Sequence, residues 1–258
     1  MCWETLTVEV KQRLAVVTVN RPEVRNALSR QVLADLRAAL AQLRDADDVG
    51  VVAITGAGEK AFVAGADISQ LRDYTPHTGL DAEMQRVFDE VEAFSKPTIA
   101  AVNGFALGGG CELAMACDIR VAADNARFGL PETNLSVLPG AGGTQRLARL
   151  VGTGRAIELI LTGRFLAAGE AHSIGLVTSV VPQQKLLDEV RGVAEKILAK
   201  GPLAVRLAKL VIRAGMDADQ HTGQVVERLA QALLYTTQDK REGAAAFLDK
   251  RSPSFQGR

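Results

Sequence analysis

The sequence predicts an α/β fold with an all-helical C-terminal region. Three observations carry that reading. Short runs rich in β-branched residues recur through the first 182 residues. Between them lie segments whose apolar residues fall at helical spacing. From Gln183 onward the strand-like runs stop and only helical stripes remain.

Thr5–Val10 alternates, Lys11-Gln12-Arg13 turns the chain, and Leu14–Asn20 alternates again, so the opening reads as a hairpin. Pro22 and Asn26 mark a loop, and Ser29 fits the N-cap of a helix. In that helix Val32, Leu33, Leu36, Leu40 and Leu43 form a one-sided stripe. Val49–Thr55 reads as a buried strand ended by Gly56-Ala57-Gly58. Phe62–Asp67 reads as a loop, Ala82–Phe94 as a helix, and Thr98–Val102, opened by Pro97, as a strand. Gly104-Phe105-Ala106-Leu107-Gly108-Gly109-Gly110 turns into a helix over Gly110–Ala116, and Ile119–Ala123 is the next strand. Pro139–Gly143 starts another helix, and Gly175–Val181 is the last strand. Strands separated by helices pair mostly in parallel, with both sheet faces covered.

Four helices follow, near Leu186–Ala199, Pro202–Ala214, Ala218–Tyr235 and Asp239–Asp249. We therefore divide the chain into an α/β body, residues 1–182, and a helical region, residues 183–258. No Gly-, Ser- or Pro-rich linker separates them, so the tail is expected to pack on the body or on another subunit.

Composition narrows the function. Lysine plus arginine and aspartate plus glutamate number 30 each, so the basic excess of a nucleic-acid binder is missing. Cys2, Cys111 and Cys117 form no CxxC pair, and His77, His172 and His221 are scattered, so no metal site is expected. The N-terminus carries acidic residues early and has no apolar core of a signal peptide. No apolar stretch approaches the ~18 residues of a membrane span. A cytoplasmic protein is expected.

Four segments hold candidate chemistry. In Gly108-Gly109-Gly110-Cys111-Glu112, glycines at a strand-to-helix junction admit close approach to the backbone. The first N–H groups of a helix have no internal partner, so they suit a developing anion, with Glu112 one turn later. The same segment also fits a tight helix–sheet crossing. Its glycine spacing matches neither GxGxxG nor a P-loop. In Ala64-Gly65-Ala66-Asp67-Ile68 the exposed donor is the Ala66 N–H, while Asp67 with Gln70 reads as a capping box. Pro131 stiffens the approach to Glu132, which gains meaning only if it faces Glu112. Pro139-Gly140-Ala141-Gly142-Gly143 offers either another close approach or a tight turn into a helix. GxSxG is absent, and Cys111 and Cys117 read as core.

The stretch KPTIAAVNGFALGGGCELAMACDIRVAADNARFGLPE closely resembles the signature region of the enoyl-CoA hydratase (crotonase) family. FVAGADI is similar to the family's first oxyanion loop, and LPGAGGTQRL to the segment after its second glutamate. The resemblance runs from RPEVRNAL to the C-terminal FLDKRSPSFQGR. It implies a crotonase-like spiral of ββα units and a 2-enoyl-CoA substrate, with no separate cofactor because CoA belongs to the substrate. It implies that the Ala66 and Gly109 N–H groups hold the thioester oxygen and that Glu112 and Glu132 flank one water. It also implies that Gly140 borders the water and that the Ala64–Ile68 loop (Ala64, Gly65, Asp67, Ile68) lies near the adenine. Phe247 and Lys250 would approach the CoA of a neighbouring subunit in a homotrimer or dimer of trimers. Glutamate at both positions matches a hydratase; one carboxylate, or an aspartate, would match isomerase relatives. An isomerase or lyase of the same family remains the alternative. RNA binding fits poorly, because the helix Ser29–Asp45 has Arg30, Arg37 and Arg44 but no lysine. We expect Glu132 to donate the proton to C2 and Glu112 to position water; the sequence leaves that division open.

Overall fold

The structure, a computed structural model, describes residues 3–67 and 74–258. Strands β1 (Leu6–Lys11) and β2 (Leu14–Val19) form the expected antiparallel hairpin. The turn is tighter than the sequence suggests. Gln12 and Arg13 alone make it, at φ 49° and 64°, the left-handed pair that matches strand twist in two-residue hairpins. Helix α1 (Arg30–Asp45) starts where Ser29 Oγ accepts the Val32 N–H at 3.3 Å, and all five stripe residues are buried.

Two sheets organise the body. The larger has the order β1, β2, β3 (Val51–Gly56), β5 (Thr98–Val102), β7 (Ile119–Ala123), β10 (Ser179–Val181), parallel from β2 onward. The smaller joins β4 (Ala61–Val63), β6 (Phe105–Leu107), β8 (Arg127–Gly129) and β9 (Leu166–Ala167). Three successive strand pairs, β3–β4, β5–β6 and β7–β8, each send their first strand to the large sheet and their second to the small one. Stacking these units generates the spiral.

The corner between paired strands is sterically exacting. A Cβ on Gly104 would collide with the Lys60 carbonyl oxygen, so only glycine lets β5 pass into β6 there. Next to it, Asn103 Nδ2 donates to the Gly56 and Gly58 carbonyls at 2.8 and 2.7 Å, tying two successive corners together.

Sequence periodicity missed the small sheet. Part of the Phe62–Asp67 loop is strand β4, and β6 and β8 are also only three residues long, too short to show an alternation. The last strand is Ser179–Val181 alone; Gly175, at φ 84°, ends the preceding helix in a turn.

Helices α2 (Pro76–Asp81), α3 (Glu83–Glu92), α4 (Gly109–Ala116), α5 (Gly143–Val151), α6 (Thr153–Thr162) and α7 (Ala168–Ser173) complete the body. Every residue of α4 is buried, and α4 packs against both α3 and α5. A helix without an exposed face has no polar stripe to orient it, so its one carboxylate must be satisfied by the structure around it.

The chain falls into two compact units, Met1–Phe94 with Thr98–Arg191, and Ser95–Pro97 with Gly192–Arg258. Helix α8 (Leu186–Leu198) runs through the boundary. The second unit contains α9 (Pro202–Met216), α10 (Gln220–Tyr235) and α11 (Gln238–Leu248). Pro202 occupies the first turn of α9, as expected, and Asp219 and Thr237 cap α10 and α11. The Asp239 carboxylate accepts the Gln256 and Gly257 N–H groups at 2.7 and 2.8 Å, which fixes the chain end against α11. Among the described residues no helix is long and apolar enough to cross a membrane.

Candidate active site

Two main-chain loops meet in the body. In the first, the Leu28 N–H donates to the Gly65 carbonyl and the Asp67 N–H donates to the Leu28 carbonyl, both at 2.9 Å. Leu28 and Ala66 thus form an isolated parallel bridge. Peptide groups alternate sides along an extended segment, so the Ala66 N–H faces away from Leu28. In the second loop, Gly108 sits at φ 51° and ψ −124° and its N–H donates to the Gly129 carbonyl at 2.9 Å. That positive φ turns β6 into α4 and leaves Gly109 as the first helical residue, whose N–H has no intrahelical acceptor. The loops are neighbours: a Cβ built on Gly108 would lie 3.9 Å from the Gly65 Cα.

Glu112 lies one turn into α4 and is 2% exposed. Its Oε1 accepts the N–H groups of Ala141 and Gly143, each at 2.8 Å. Gly143 opens α5, so the carboxylate also sits at that helix's positive end. Burial pushes the Glu112 pKa above the ordinary carboxylate value, against the pull of the two N–H donors and of Arg146. Among the described residues, Glu112 Oε2 makes no hydrogen bond.

Glu132 begins a short 3-10 turn, Glu132–Leu135, straight after Pro131 and β8. Its Oε1 lies 2.9 Å from where a Gly108 Cβ would stand, against the start of α4. Its Oε2 is buried and has no hydrogen-bond partner among the described residues. Burial raises the Glu132 pKa to about 7, its own backbone N–H opposes the rise, and the charge of Glu112 adds to it. The two glutamates, distant in sequence, therefore feel each other, and two close carboxyls do not both ionise cheaply. One carboxyl held by two N–H donors, one inclined to keep its proton, and a pair of outward N–H groups suit acid–base chemistry beside a developing oxyanion.

The other sequence candidates fall as follows. Gly140 is exposed and immediately precedes the Ala141 N–H that holds Glu112. Asp67 lies 3.9 Å from Arg21; Ile68 and Gln70, and with them the capping box, lie outside the described residues. Phe247 ends near the C-terminus of α11, 83% exposed, and Lys250 follows that helix at φ 53°. Cys111 is buried, and burial together with Glu112 and Glu132 pushes its thiol up to about 12, so it stays protonated and packs as expected.

Sequence reading missed Ala141, Gly143 and Arg146. The available signal was the arginine three residues after the last glycine of Pro139–Gly143. A cation there, one turn into a helix, has a reason to grip the loop only when the loop holds something in place.

Residues 9–258 match the family model described as enoyl-CoA hydratase/isomerase. A crotonyl-CoA hydratase of Syntrophomonas wolfei is 48% identical over 257 residues, covering 99% of each chain. A short-chain-enoyl-CoA hydratase of Clostridium acetobutylicum is 45% identical over 94% of each. The crystal structure of an enoyl-CoA hydratase from Bacillus anthracis superposes with a TM-score of 0.95 at 43% identity, covering 99% of this chain and all of that one. By that match along nearly its whole length, this chain belongs to the enoyl-CoA hydratase/isomerase family.

Proposed function

We propose that this enzyme hydrates a 2-trans-enoyl-CoA reversibly to the 3-hydroxyacyl-CoA. The observation that carries the reading is the paired state of Glu112 and Glu132. One has a carboxylate oxygen fixed by two N–H donors, and the other has a buried oxygen without a partner among the described residues and a pKa of about 7.

Glu112, as carboxylate, takes a proton from water as its oxygen bonds to C3. Charge passes through C2 to the thioester oxygen, where the N–H groups of Ala66 and Gly109 receive it. Losing one such donor typically costs about 10²–10³ in rate. Glu132 delivers a proton to C2, completing the addition, and the reverse steps run the dehydration. The acyl-CoA brings its own activated thioester, so these residues supply positioning and proton transfer.

The names of the relatives favour short acyl chains. The oligomer is read as a homotrimer or a dimer of trimers, supported by large apolar side chains exposed on the C-terminal helices, including Leu210, Ile212, Leu229 and Leu233. In such an assembly Phe247 and Lys250 serve a neighbour's CoA. A cytoplasmic setting agrees with the free thiols of Cys111 and Cys117.

The test is turnover of crotonyl-CoA in ¹⁸O-labelled water. Hydration places the label on the C3 hydroxyl. A shifted double bond with no label incorporated overturns the reading in favour of an isomerase.

A further inference from the structure

We infer that Arg146 is a positioning residue for Glu112, acting through the peptide that joins Ala141 to Gly142. This rests on the role proposed for Glu112 and adds a member the carboxylate pair does not include. The geometry is specific. Arg146 Nη1 donates to the Ala141 carbonyl at 2.8 Å. That carbonyl belongs to the peptide 141–142. The peptides on either side of it, 140–141 and 142–143, supply the two N–H groups that hold Glu112 Oε1. Arg146 therefore clamps the middle of three consecutive peptides while the outer two face the carboxylate.

The clamp is itself braced. The Arg146 side chain is 9% exposed, and its Nε lies 2.7 Å from Glu92 Oε2 and its Nη2 2.6 Å from Asp89 Oδ1. Both acids lie on α3, so the guanidinium spans from that helix to the loop. A planar fork with fixed donor directions can serve three acceptors at once, which a single ammonium cannot do in the same geometry. Gly142 is shaped for the clamp. It sits at φ 94°, and a Cβ there would strike the Arg146 guanidinium.

The consequence is mechanical and electrostatic. Without the clamp the Ala141 carbonyl loses the donor that sets the direction of the loop's two N–H groups, and Glu112 loses the charge of Arg146. Among the described residues, Glu112 interacts electrostatically with Arg146, the Glu132 carboxyl and the Cys111 thiol, and Arg146 pairs with Asp89 and Glu92. Arg146 lowers the Glu112 pKa, so its removal moves the acid limb of the rate profile to higher pH.

The experiment compares purified Arg146→Met, Arg146→Lys and Glu112→Gln enzymes for thermal midpoint, kcat, KM for crotonyl-CoA and the pH profile of kcat/KM. The expected result is a folded Arg146→Met enzyme with kcat down roughly 10- to 100-fold from a misplaced carboxylate. Its KM stays near that of the parent and its acid limb shifts upward. Arg146→Lys keeps the limb but recovers kcat only in part. Parental kcat and acid limb in Arg146→Met, beside an inactive Glu112→Gln, overturn the inference and leave the hydratase reading standing. If Arg146→Met does not fold, Arg146→Lys decides: parental kcat overturns the inference and a lowered kcat supports it. A fully active Glu112→Gln enzyme removes the role of Glu112 and overturns both.

Discussion

Glu132 carries a pKa of about 7 in part because the Glu112 carboxylate stands close enough to oppose its ionisation. One residue comes from the buried helix α4 and the other from the 3-10 turn after β8. Their juxtaposition gives the first prediction. Glu112→Gln and Glu132→Gln each lower crotonyl-CoA turnover by about 10²–10⁴-fold, the range for a positioned acid or base. CoA-ester affinity, measured by calorimetry, stays close to that of the parent enzyme. Near-normal turnover in either variant sinks the two-carboxylate mechanism.

The pH profile follows from the same pair. In the proposed mechanism Glu132 holds its proton for hydration, so kcat/KM is expected to fall as pH rises through about 7. The same mechanism needs Glu112 ionised, so activity is also expected to fall on the acid side, around a pKa raised above the ordinary carboxylate value. The limbs belong to the pair rather than to either residue alone. In Glu132→Gln the alkaline limb disappears from whatever activity remains; its persistence there would assign the limb to another group.

Stability should move with pH in a matching sense. Burial raises the Glu132 pKa from 4.5 in the unfolded chain to about 7 in the fold. The folded state therefore binds the proton more tightly, and its contribution is lost as pH rises through about 7. Glu132→Gln carries no such charge. Its thermal midpoint is expected to match the parent at about pH 4, below the unfolded pKa, and to exceed it at about pH 9. Parallel midpoints across that range contradict the burial reading of Glu132.

Gly109 separates space from hydrogen bonding. A Cβ there would stand 2.9 Å from Met84 Sδ and 3.1 Å from Leu28 Cδ1, both flexible ends that can shift. Gly109→Ala therefore keeps the N–H and loses a modest part of kcat. Gly109→Pro also removes the N–H, at a first-turn position that tolerates proline, and should cost a further factor of about 10²–10³. Equal kcat in the two variants excludes this N–H from the oxyanion hole.

Asn26 tests the scaffold away from the chemistry. Fully buried at φ 59°, it donates to the Ala57 and Ala61 carbonyls and accepts the Arg21 N–H. Asn26→Ala strands those groups and puts alanine in a left-handed conformation. A loss of about 2–3 kcal/mol in urea unfolding is expected. A loss under about 0.5 kcal/mol would mean that the loop relaxes around the gap.

The stripe Val32, Leu33, Leu36, Leu40 and Leu43 placed α1 correctly because helical spacing is a local property, read within one segment. Strands Thr98–Val102 and Ile119–Ala123 were legible for the same reason, each a short apolar run between breakers. The second sheet was not legible. Its strands hold two or three residues each, and what makes them strands is pairing with partners far along the chain.

The sequence by itself determined the α/β class and the glycine turn before Glu112, because these depend on local pattern and residue type; Glu132 stood out as its partner acid only through the family resemblance. Only the tertiary structure decided that the Ala141 and Gly143 amides hold Glu112, that Arg146 clamps the loop between them, and that Glu132 keeps a buried oxygen without a partner among the described residues. Proton affinity is set by burial and by neighbours in space, and folding alone brings those neighbours together.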